Sequence, residues 1–175
     1  MRRFVLLLPF AFAATAAIGQ ALSGTQTLRM DSDHVAITVT LDGNRTRFAE
    51  TAGALEYNPA NPLKSTIALS LDTASIEAET PRNAFDPERF PEMRIISTTD
   101  AKPGKAGMEA LPVNITIRDI TRPALLQVSF KISSAQIITL HAETVMKAAD
   151  FRLGQRGNIP LVIDAPFVRV NQASR

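Results

Sequence analysis

The stretch 113-VNITIRDITRPALLQVSF-130 decides the fold. Val113, Ile115 and Ile117 alternate with Asn114, Thr116 and Arg118, and Val128, Phe130 and Ile132 alternate with Ser129 and Lys131. A period of two is the mark of a strand with one buried face, because successive β side chains point to opposite sides. The same period runs through most of the chain. Val35, Ile37, Val39 and Leu41 share a face, as do Ile67, Leu69 and Leu71, and later Leu161, Ile163, Ala165 and Phe167. Asp42-Gly43-Asn44 is a tight-turn signal. Asn58-Pro59-Ala60-Asn61-Pro62, Lys102-Pro103-Gly104-Lys105 and Gly154-Gln155-Arg156-Gly157-Asn158 read as loops. Many short strands at close intervals predict an all-β sandwich or barrel.

One segment breaks the alternation. In residues 80–92, Thr80-Pro81 and Asp86-Pro87 each set a capping residue before a proline, a helix-start pattern. With Asp86 as the cap, Phe85 and Phe90 occupy the two positions of a hydrophobic staple. Pro91 stops the turn, because the residue before a proline is biased away from helix. The expectation is a short stapled turn leading into a strand near Met93.

The first residues, MRRFVLLLPFAFAATAAIGQA, have two arginines, a short apolar run and small residues near the end. That is the pattern of a secretory signal peptide. Residues 1–21 are expected to be removed, with cleavage after Ala21 and a cut after Gly19 nearly as well supported, leaving 22–175 as one exported domain; the alternative is an uncleaved membrane anchor, for which the apolar run is short. Of the 19 Lys and Arg, two lie in this leader, so the remainder balances the 17 Asp and Glu. A balanced chain carries no electrostatic case for nucleic acid. There is no cysteine, which excludes thiol catalysis and Cys-based metal sites.

Catalysis finds little support. The chain has two histidines, His34 and His141, and no G-x-S-x-G elbow. His34 near Asp31 and Asp33 reads as a strand-entry cap, and Glu77 and Glu79 as a solvated rim. An enzyme would need His34 or His141 facing carboxylates inside the barrel. No metal site and no catalytic residue are assigned. What remains is apolar surface. An eight-stranded barrel is just wide enough for side chains or one small ligand. On the residues alone, a solid core is the plainer use of the inward positions.

The motifs, in order, resemble the YceI-like family of exported, lipocalin-like antiparallel barrels that bind polyisoprenoids. The resemblance is carried by 31-DSDHVAITV-39, 53-GALEYNP-59, 75-SIEAETPRNAFDPERFPEMRIIS-97, 113-VNITIRDITRPALLQVSF-130 and 149-ADFRLG-154. The chain departs from the pattern at Thr46, Asn114, Asp119 and Arg152, where the family usually has glycines, and at Ala148, where it usually has arginine. The resemblance implies a single lipocalin-like β-barrel of about eight strands with one or two short helical turns. It implies a cavity rather than a solid core, holding a polyisoprenoid or isoprenoid-quinone-like lipid and no other cofactor. Val35, Ile37, Val39, Ile67, Leu69, Leu71, Ile115, Ile117, Val128 and Phe130 would line it. Phe48, Phe85, Phe90 and Phe151 would close its ends. The alternative is a ligand-free envelope interaction or stress-response protein partnered with a membrane protein such as a b-type cytochrome. A homodimer is compatible with either.

Overall fold

The computed structural model describes residues 25–105, 107–134, 136–154 and 157–169. The proposed leader, 1–21, lies outside the described residues. Eleven strands follow in order: β1 (Gln26–Met30), β2 (Ala36–Leu41), β3 (Asn44–Phe48), β4 (Thr51–Tyr57), β5 (Thr66–Asp72), β6 (Glu92–Ser97), β7 (Lys102–Pro103), β8 (Glu109–Ile117), β9 (Ile120–Ser134), β10 (Ile137–Lys147) and β11 (Asn158–Arg169). The single α-helix, α1, spans Glu79–Phe85 among the described residues. Strand neighbours run β1-β4-β5-β6-β8-β9-β10-β11, and β1 pairs again with β11. Eight strands therefore close a ring, and β2 and β3 extend the sheet from the first half of β11.

The closure uses β11 twice. Its last residues pair with β1 (Leu28↔Arg169, Met30↔Phe167), and its first half pairs with β2 (Leu161↔Val39, Ile163↔Ile37). A short 3-10 turn, Ser32–His34, separates β1 from β2. Asp31 caps that turn, accepting from the Asp33 N–H and bonding the His34 ring at 2.9 Å. The β2–β3 hairpin is the one expected at Asp42-Gly43, with φ of 50° and 77° at its two central residues. Positive φ at both positions matches the right-handed twist of the flanking strands. The loop expected at Lys102-Pro103 contains the two-residue strand β7, which pairs with β8.

The alternating faces go where the period of two sends them. Ile37, Val39, Leu69, Leu71, Ile115, Ile117, Val128, Leu161 and Ile163 are buried in one continuous core cluster. Gly53 on β4 marks a close approach. A Cβ there would lie 2.6 Å from a Leu69 methyl, so the missing side chain is what lets β4 and β5 pack.

The helix near residue 80 corrects the expectation from capping residues. Its N-cap is Ala78, with Thr80 and Pro81 already inside the first turn. Asp86 does not start a helix; it ends one, in the left-handed conformation at φ 55°. A tight turn does follow, since the Asp86 carbonyl accepts from the Arg89 and Phe90 N–H groups at 3.1 and 2.9 Å. The staple is not formed as expected. Phe85 is fully buried and meets Phe48 edge to face, with ring centroids 6.0 Å apart. Phe90 is half-buried on the other side of the turn, beneath the guanidinium groups of Arg89 and Arg118 at 5.3 and 5.9 Å. The sequence pattern at Asp86-Pro87 is ambiguous because Asp is also at home in the left-handed cap of a preceding helix.

The lined interior and its two ends

Strand directions sort the connections between two ends of the barrel. At the first end lie α1, the 86–90 turn, the β2–β3 hairpin, the β8–β9 tip and the 3-10 turn Ala148–Phe151. These pieces are tied to one another by buried polar groups. Thr73, fully buried, donates from its hydroxyl to the Phe90 carbonyl at 2.6 Å and from its N–H to the Pro91 carbonyl at 2.9 Å. Thr46, also buried, accepts from the Ala78 N–H at 3.0 Å, fixing the start of α1 to β3. Arg118 makes the widest link. Its guanidinium donates to the Ala84 carbonyl at 2.7 Å and to the Arg152 carbonyl at 2.9 Å. Both acceptors lie at element ends, where carbonyls lose their helical partners. One side chain from the β8–β9 tip thus holds both short helical pieces over this end. In the sequence Arg118 is only one of the polar residues that alternate with Val113, Ile115 and Ile117. The missed signal is that Arg118 takes φ 57° at a two-residue turn, Ile117 pairing directly with Ile120; that tip geometry aims its side chain back across the end of the barrel.

The candidate lining residues fall as follows. Val35, Ile37, Val39, Phe48, Ile67, Leu69, Leu71, Phe85, Ile115, Ile117, Val128 and Phe151 are buried in the same cluster. Phe130 is half-buried against it, and Phe90 lies outside it. Phe48, Phe85 and Phe151 sit at the first end, where α1 and the 148–151 turn fold over. Phe130 belongs to the opposite end, 5.4 Å from the Tyr57 ring. The alternation missed strand β1, whose inward residues are Gln26, Leu28 and the partly buried Met30. Leu140, Ala142 and Met146 of β10 also face inward and are buried.

The polar groups divide cleanly by face. His34 is exposed beside Asp31, and His141 lies on the outer surface, 2.6 Å from Asp164 of the neighbouring strand. Neither histidine meets a carboxylate inside the barrel, which removes the arrangement an enzyme reading required of them. Among the described residues no cluster of His, Asp and Glu could hold a metal ion. Glu77 pairs with Arg47 at 2.9 Å on the exposed rim. Outside the first end, Arg89, Phe90, Glu92, Arg94 and Arg118 line a cleft of about 320 Å³. There the Arg94 hydrogen bond, and next that of Ser70, hold the Glu92 carboxyl below its usual range. Inside the second end the direction reverses: burial pushes the Glu109 carboxyl up, and burial together with Glu109 raises the Tyr57 hydroxyl.

A closed antiparallel barrel with an apolar interior, capped at one end by a short helix, is a lipocalin-like class of fold. Residues 21–171 match the YceI-like domain, and the chain belongs to that family. No curated protein matches the sequence. Among solved structures, BcnA of Burkholderia cenocepacia superposes with a TM-score of 0.69 at 12% identity, covering 78% of this chain and 98% of that one. A polyisoprenoid-binding domain from Saccharophagus degradans, implicated in plant cell wall breakdown, gives 0.60 at 12% identity over 84% and 100%. The YceI protein of Campylobacter jejuni gives 0.60 at 14% identity over 98% and 100%. At these identities the likeness is one of fold.

Proposed function

We propose that the mature chain is an exported binding protein that carries or sequesters a long isoprenoid lipid within the barrel, without covalent chemistry. The observation that carries this reading is the interior itself. From Ile37 and Val39 through Leu69, Ile115 and Leu140 to Ile163, the inward face of the wall is aliphatic and closed to solvent. Such a surface suits a chain of repeated hydrocarbon units, each buried methylene being worth roughly 0.8 kcal/mol. The similar domain from Saccharophagus degradans is described as polyisoprenoid-binding, which agrees in ligand class. The arginine-led apolar segment at residues 1–21 supports export, so the carrier would work in the periplasm, between membranes. Organic extraction of protein purified from the cell envelope, followed by mass spectrometry, tests the reading. A stoichiometric isoprenoid is expected; a protein repeatedly free of lipid refutes it.

A further inference from the structure

The interior is apolar along most of its length, but the second end is not. Gln26, the first residue of β1, is 5% exposed, yet neither its amide nitrogen nor its amide oxygen has a hydrogen-bond partner among the described residues. Glu109, the first residue of β8, is half-buried, and its Oε2 is unpartnered in the same way. Native interiors leave few buried polar groups unpaired, so two at one end of the barrel wall call for an explanation.

Register brings them to the same place. Gln26 lies directly opposite Tyr57 on β4. Glu109 lies opposite Val128 on β9, two residues from Phe130. The Tyr57 and Phe130 rings meet at 5.4 Å, joining the two sides of the barrel end. All four side chains are on inward positions of their strands, as their alternation with Leu28, Leu55, Leu111 and Leu126 requires.

We infer that this end is a head-group subsite for an uncharged hydroxyl-bearing lipid, with the Gln26 amide as its principal contact and Glu109 as the second. The inference rests on the isoprenoid reading above and names the part of the ligand that reading leaves open. A primary amide donates from nitrogen and accepts at oxygen, so Gln26 can serve both halves of a hydroxyl or phenol. Glu109 supplies a further acceptor, or a donor when protonated, and burial favours its protonated form. A diphosphate does not suit this end. The enclosed neighbours, Tyr57, Phe130, Ile138 and Phe167, include no cation, and Arg169, on the same face of β11 as Phe167 and opposite Leu28, is exposed to solvent; an enclosed anion needs charge-matched partners.

The test uses three probes in detergent-solution binding assays with the purified protein: a long-chain polyprenol, the polyprenyl diphosphate of equal chain length, and squalene, which has no head group. The parent protein is expected to prefer the alcohol over the diphosphate by about tenfold or more. Gln26→Leu is expected to weaken polyprenol binding roughly 3- to 10-fold, the worth of one or two neutral hydrogen bonds, and to leave squalene binding unchanged. Gln26→Leu removes two unpartnered polar atoms, so its melting temperature should equal or exceed that of the parent. Glu109→Leu gives an independent arm: it removes the second polar contact, so polyprenol affinity should fall while squalene affinity is unchanged. Squalene and polyprenol both bound, with no head-group preference or no effect of Gln26→Leu, overturns the subsite and leaves the lipid reading standing. No binding of any probe overturns both.

Discussion

Arg118 offers the sharpest test of how the first end is held. Replacing Arg118 with Ala removes two hydrogen bonds from a charged donor, to the Ala84 and Arg152 carbonyls at 2.7 and 2.9 Å, and the guanidinium face contact on Phe90 at 5.9 Å. A hydrogen bond with one charged partner is worth about 1.5 to 3 kcal/mol when enclosed, and less at a solvent-facing site. The Ala84 bond is partly buried and the Arg152 bond is exposed. Taking the lower half of that range for the first, a fraction of it for the second, and about 0.5 kcal/mol for the ring contact gives roughly 2 to 3 kcal/mol in total. For a domain of this size that is a fall of about 4 to 12 °C in melting temperature. Urea denaturation measures it directly: the midpoint should drop while the slope stays constant. Hydrogen exchange should show α1 and residues 148–152 opening before the barrel wall. Arg118→Lys should recover less than half of the loss, because an ammonium cannot reach both carbonyls with a planar fork. Arg122→Ala is the control, since Arg122 is exposed and bonds only the adjacent Thr121 carbonyl at 3.2 Å. A loss below about 0.5 kcal/mol for Arg118→Ala, or an equal loss for Arg122→Ala, would refute the clamp.

Other consequences follow from the same end and from Glu109. Arg152 adopts φ 52°, so Arg152→Gly should stabilise the protein by up to about 1 kcal/mol, read by denaturant midpoint. The Arg118 contact survives that change because it is made to the backbone carbonyl. Phe85→Ala should cost about 3 to 5 kcal/mol, whereas Phe90→Ala should cost about 1 kcal/mol, since only Phe85 is fully enclosed. Equal losses in calorimetry would restore the staple the sequence suggested. For Glu109 the folded carboxyl is raised above its ordinary 4.5, so the folded state holds the proton more tightly than the unfolded one. Its contribution is therefore greatest at low pH and declines as pH rises from about the ordinary carboxyl value through the raised one. Denaturant titrations across that window should show the decline in the parent and its loss in Glu109→Gln.

The wall of the barrel was legible because a period of two survives in any single strand. Ile37, Leu69, Ile115 and Val128 each announce their face by their neighbours. Strand β1 escaped because its inward positions are Gln26, Leu28 and Met30, and a buried Gln does not count as apolar in an alternation. That omission hid the residue on which the head-group subsite depends. The β8–β9 tip escaped for a different reason. Arg118 and Asp119 carry no glycine, and a left-handed Arg is not signalled by composition. At Asp86 the local rule had two solutions, cap before a helix or cap after one, and tertiary packing of Phe85 on Phe48 chose the second. Local periodicity specifies faces; which polar groups meet across the barrel depends on register and closure, which arise only when β1 and β2 share β11.

The central claim is that the interior holds a lipid chain. A crystal structure of protein purified from the envelope without reconstitution tests it most directly. The account predicts elongated density along the barrel axis, between Ile37, Ile115, Leu140 and Ile163, ending beside Gln26 and Glu109. An interior in which side chains of opposite walls, such as Leu69 of β5 and Leu140 of β10, touch one another with no density between them would contradict it.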